Sequence, residues 1–123
     1  MIVRRRQAAS EHGAVTAELA LGLPLVLALT VGLVWLLAVA TAQIRVVDAA
    51  REAARAVARG DDVSSAQSLA LRIAPEGARL DIAIEGGQVA VTSRAEVQGP
   101  GGLFDFISGV TVSSRSVAVM EEP

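Results

Sequence analysis

The chain has 123 residues, 52% of them apolar, and its only histidine, His12, stands near the start; cysteine, lysine and tyrosine are missing. Disulfide staples, thiolate metal sites and most nucleophile–base pairs are thereby excluded, and no carboxylates pair at a spacing distinct from a solvated surface, so no catalytic residue, metal ligand or cofactor is predicted. Charge is divided, with three Arg against one Glu in residues 1–13 and eight Arg against twelve acids afterwards, which leaves no basic, aromatic-rich face for nucleic acid.

In chain order, residues 1–13 read as a basic leader carrying Arg4, Arg5 and Arg6. Residues 14–42 read as a transmembrane helix, because Leu19 to Ala42 is a run of 24 residues without a charge, and about 20 suffice to cross the hydrocarbon core of a bilayer. Its nine Leu and four Val favour insertion by roughly 4 to 8 kcal/mol together. Leucine at alternate positions from Leu19 to Leu29 imitates a strand, but an isolated strand in lipid leaves its ladder unpaired, so the prediction is a helix. Pro24 removes a bond to the carbonyl of Ala20 and predicts a kink or local opening. Ala28 and Gly32 form a small-xxx-small pair suited to close helix contact. Trp35 is expected to face lipid or a packed neighbour.

The helix is predicted to continue over residues 43–60, with Ile44, Val47, Ala50, Ala54, Val57 and Ala58 on one face and charged residues on the other. Arg45 with Asp48, Asp48 with Arg51 and Glu52 with Arg55 are expected i,i+3 pairs. Gly60 supplies the stop. Residues 61–123 read as a small α+β head. Asp61 or Asp62 caps a second helix whose apolar positions are Val63, Ala66, Leu69, Ala70 and Ile73, and Pro75 ends it. Period-two runs containing Leu80, Ile82 and Ile84, then Val89, Val91 and Ala95, flank Gly86-Gly87 and predict a hairpin. A Gly/Pro-rich loop and the apolar stretch Leu103 to Ile107 lead to a third strand over Val110 to Met120, whose phase shift predicts a bulge between Ser113 and Ser116. The fold expected is α+β: a long N-terminal transmembrane helix extended into a head with a second short helix and a three-stranded antiparallel sheet.

One constellation stands out: Gly13-Ala14-Val15-Thr16-Ala17-Glu18, then Leu19-Ala20-Leu21-Gly22-Leu23-Pro24, with Val47 to Arg55 as its continuation. This stretch, roughly residues 10 to 60, resembles the TadE-like pseudopilins, in the tight-adherence branch of the type IV pilin superfamily. The resemblance implies that a membrane aspartyl prepilin peptidase cuts after Gly13 and leaves Ala14 as the mature N-terminus. A glycine fits such a role, since its bare backbone can enter a protease cleft closely. Glu18 is costly inside a membrane unless paired or at the interface: either it would pair with the new Ala14 ammonium of its own or a neighbouring subunit and set axial register, with Pro24 shaping the same helix, or it sits at the membrane border and snorkels to water. The implied partners are prepilin peptidase, other pilins or pseudopilins, the pilus assembly platform in the membrane and the lipid bilayer.

Two other readings compete. Ala40-Thr41-Ala42 resembles a signal-peptidase site that would release a secreted binding module starting at Gln43, although an ordinary apolar signal core is only about 7 to 15 residues long. Alternatively, the chain is an uncleaved single-pass anchor. Counting positive charges leaves orientation ambiguous, because Arg45, Arg51, Arg55 and Arg59 follow the span closely; a short basic tail ahead of a first helix nevertheless predicts a cytoplasmic N-terminus and an extracytoplasmic head.

Overall fold

The computed structural model describes residues 2–101 and 109–122, with side chains from Ser10 onward; the expected apolar stretch Leu103 to Ile107 lies outside the described residues. The element order is α1 (Ile2–Ala58), α2 (Val63–Ile73), β1 (Arg79–Glu85), β2 (Gln88–Val97) and β3 (Val110–Val119). The expected α+β layout is therefore what the chain adopts. Its residues divide into two compact units, Met1–Val34 and Trp35–Pro123, and α1 contributes to both.

The first unit is helical throughout its described residues, and its leucines are exposed: Leu21 is 78% exposed and Leu25 72%. Pro24 lies inside the helix. The hydroxyls of Thr16 and Thr30 donate to the carbonyls of His12 and Val26, each at 2.9 Å, so these two polar side chains are satisfied within their own helix.

The second unit has a core of small residues. From α1 it takes Ala49, Ala50, Ala53, Ala54 and Val57, from α2 Ala66 and Ala70, and from β2 Val89 and Val91. Alanine loses no rotamer entropy on burial and lets helix backbones approach closely. The packed stripe of α1 includes Ala42, Val46, Ala49, Ala50 and Ala53, a 3.6-residue repeat. Ile44, expected on this face, is instead 61% exposed. It lies two residues from both Ala42 and Val46, about 200° around the helix and thus on the opposite side.

Helix α1 closes in a Schellman arrangement. Gly60 takes a φ of 101°, and the N–H groups of Gly60 and Asp61 donate to the carbonyls of Val57 and Ala56, both at 3.0 Å, which satisfies carbonyls the helix end would otherwise orphan. Asp62 occupies the N-cap of α2 but makes no side-chain capping bond; its carboxylate accepts from the Ser64 hydroxyl instead. Of α2's expected apolar positions, Ala66 and Ala70 are buried, whereas Val63 and Leu69 are each 38% exposed. Of the three expected ion pairs, Glu52 with Arg55 is present at 3.6 Å. Among the described residues Arg45, Asp48 and Arg51 form none.

The sheet is an antiparallel meander in the order β1-β2-β3. Gly86 and Gly87, with φ of 59° and 75°, form a two-residue turn with both central residues left-handed, the geometry that matches strand twist. The β2–β3 register runs without interruption from Gln88↔Val119 to Val97↔Val110, so the expected bulge is absent. The inner face of β3 carries Val110 and Val112 at its start and continues in small residues, with Ser114, Ser116 and Ala118 opposite Ser93, Val91 and Val89. Val117 and Val119 belong to the outer face, where they are 52% and 70% exposed. The phase shift in the sequence is thus a change of which face carries valine.

Ser93 is fully buried on β2, and its hydroxyl has no hydrogen-bond partner among the described residues. A buried, unsatisfied hydroxyl is costly. Ser93→Ala is expected to stabilise the protein by about 1 kcal/mol, read as a higher melting temperature of the detergent-solubilised chain; a lower one would mean that the hydroxyl is satisfied.

Candidate functional site

The candidate residues all lie on α1 in the first unit. Ala14 and Glu18 are four residues apart and so share one helix face, one turn from each other. Gly22 continues the same stripe a further turn along. Glu18 is the only ionisable side chain between His12 and Arg45, is exposed, and has neither an ion pair nor a hydrogen bond among the described residues. Gly13 sits inside the helix, where a Cβ would meet nothing within 4 Å, and the same is true of Gly22 and Gly32. Packing within the chain therefore demands glycine at none of the three, although each disfavours the helix by about 1 kcal/mol relative to alanine.

Among the described residues one helix, over Ser10–Ala58, is long and apolar enough to cross a membrane, and none of its most apolar window is buried. The second unit reaches further back along α1 than the sequence implied. Trp35 donates its indole N–H to the carbonyl of Gln98 at 3.1 Å. Val39, Ala42 and Val46 pack with Ala95, Val97 and Val112, and Gln43 donates its side-chain N–H to the carbonyl of Ser113 at 3.2 Å. These links join residues 63 and 70 positions apart, and no local pattern announces them. Among the described residues no group of three or more His, Cys, Asp or Glu side chains converges as a metal site would require.

Residues 13–55 match the family model of the TadE-like protein. A Mycobacterium tuberculosis (strain ATCC 25618 / H37Rv) protein named apoptosis inhibitor Rv3655c is 37% identical over 79 residues, which cover 64% of this chain and 57% of the relative. The chain thus spans little more than half the length of that relative. No solved structure matches. The matched segment opens on Gly13, contains Glu18 and Pro24, and ends on Arg55 in the last turn of α1; over these residues the chain is similar to the TadE-like family.

Proposed function

We infer that this protein is a single-pass, pseudopilin-like structural subunit or assembly factor of a tight-adherence type IV pilus. The observation that carries the reading is the bare apolar helix ahead of Trp35, with one acidic residue a single turn beyond Gly13-Ala14. Leaving a leucine side chain in water instead of burying it costs about 1.5 to 3 kcal/mol, so a helix this exposed belongs in lipid or against neighbouring helices. Its threonines are already satisfied, which favours either environment over water.

The membrane-crossing part is residues 14–34. The segment has 21 residues, and at about 1.5 Å per residue it spans about 32 Å, close to the thickness of the hydrocarbon core. From Trp35 onward the helix packs on a sheet whose edges and charged outer face cannot enter hydrocarbon. The membrane surface on the head side therefore lies near Trp35, an amphipathic side chain suited to that boundary. The N-terminus is cytoplasmic and the head extracytoplasmic.

Prepilin peptidase removes residues 1–13 and leaves an ammonium on Ala14. One turn away, the Glu18 carboxylate is placed to neutralise that charge in its own chain or in a neighbour, which fixes the axial stagger of helices meeting in the membrane. The family match over residues 13–55 supports this reading, because it begins at the proposed cleavage glycine.

The absence of cysteine makes a direct test available. Engineered single cysteines at Leu21 or Leu25 report helix–helix contact by disulfide trapping in membranes of the native host. Glu18→Gln is expected to lower trapped product about tenfold, the equivalent of one lost charge pair. Unchanged processing together with unchanged trapping would remove Glu18 from the assembly role.

A further inference from the structure

The sheet order leaves β3 as an edge, and the backbone bonds around it show which of its groups face outward. In a strand, the N–H and C=O of one residue point the same way and alternate with those of the next. The Met120 N–H donates to Gly87, on the β2 side, at 2.8 Å. The Glu121 N–H instead donates to the carbonyl of Ala58 at 2.9 Å, and the Ser113 carbonyl accepts from Gln43. Odd-numbered residues of β3 therefore direct their backbone groups away from β2. Between the two closures, Arg115, Val117 and Val119 present three N–H and three C=O groups that have no partner among the described residues.

A groove of about 430 Å³ runs between this edge and α1. Its helix wall carries Arg51 and Arg55, with Arg59 one residue past the end of α1, where its N–H still bonds the Arg55 carbonyl at 3.1 Å, and its strand wall is Ser116 to Val119. Successive arginines are four residues apart on the helix, about 6 Å along its axis. Alternate residues of an extended chain recur every 6.6 to 6.8 Å or so. The two periods match closely enough for three consecutive same-side positions of a strand to meet three arginines.

We propose that the β3 edge and the Arg51, Arg55 and Arg59 stripe together form a docking site for an extended acidic segment of another protein, which adds as a fourth strand with carboxylates at alternate positions. The edge supplies backbone hydrogen bonds and the arginines supply selection, the division of labour in strand addition. Arg55 and Arg59 already contact Glu52 and Asp61, both at 3.6 Å, but exposed pairs of this kind contribute little and exchange readily. Glu121 lines the far end of the groove, so the ligand's carboxylates belong opposite Arg51 and Arg55 first. An open edge is otherwise an aggregation hazard, which a docked strand removes.

The test titrates the detergent-solubilised full chain with fluorescent synthetic peptides read by anisotropy. One peptide alternates Glu with Val over seven residues. A second has the same composition with its glutamates contiguous, and a third is the alternating peptide N-methylated on the backbone groups that would face β3. The alternating peptide is expected to bind about tenfold more tightly than either of the others. Arg51→Gln with Arg55→Gln is expected to remove that preference. Equal binding of all three peptides would mark a diffuse attraction for anions and overturn the proposal, as would the absence of binding, or a double substitution without effect. The peptide comparison needs no variant, so it stands even if a substitution perturbs folding.

Discussion

Ala53→Asp is expected to unfold the head. Ala53 is fully buried in α1, in the cluster that joins α1, α2 and β2. A carboxylate there would lose its hydration without gaining a partner, which costs several kcal/mol in proteins. Whole domains of ordinary size are stable by about 5 to 15 kcal/mol, and this one draws on a core whose largest fully buried side chains are valines and one serine. The penalty is therefore comparable with all the stability available. Trp35 is the only tryptophan and is tied to Gln98, so its emission reports whether the head is packed. Ala53→Asp should give the red-shifted emission of a solvated indole and no cooperative melt in detergent, whereas Asp48→Ala, on the exposed face, should stay within about 0.5 kcal/mol of the parent. A cooperative melt near the parent's temperature in Ala53→Asp would show that α1 does not supply the core.

Gly13→Phe is expected to abolish processing without touching the head. A side chain at this position meets nothing within 4 Å in the folded chain, so stability should not fall. In a protease cleft shaped around a bare backbone, a clash worth about 1.4 kcal/mol already slows cleavage tenfold, and a benzyl group introduces far more. Gly13→Ala should retain part of the processing. Immunoblots of native-host membranes, which separate precursor from mature chain, provide the measurement together with the Trp35 melt. Full processing of Gly13→Phe would mean that the cut lies elsewhere or does not occur; loss of processing accompanied by a lower melt would point to damage rather than to recognition.

Much of this architecture is written locally. Helix α1 and its stop at Gly60, α2 ahead of Pro75, and the Gly86-Gly87 hairpin follow from hydropathy period and turn chemistry, because each depends on neighbours within a few positions. The errors arise where long-range packing decides. Ile44 is as apolar as the residues that enter the core, but the helix turns it away, and only the direction of the sheet determines which stripe is buried. Valine at Val110, Val112, Val117 and Val119 predicts a bulge only where every apolar residue faces inward. The inner face here accepts serine and alanine, since the opposing helix is itself nearly all alanine. Trp35 illustrates the same limit: an apolar run names its members but not which of them pack on the sheet 63 residues away. The candidate site was legible because its elements, a glycine, an acidic residue and a basic leader, lie within 18 residues of the start.

Mass spectrometry of the intact protein, isolated from membranes of its native host with the matching peptidase present, tests the central claim most directly. The account predicts a chain that begins at Ala14, without its three leading arginines. A chain beginning at Met1 would make the protein an uncleaved anchor, one beginning at Gln43 would make it a secreted head, and either would contradict the account.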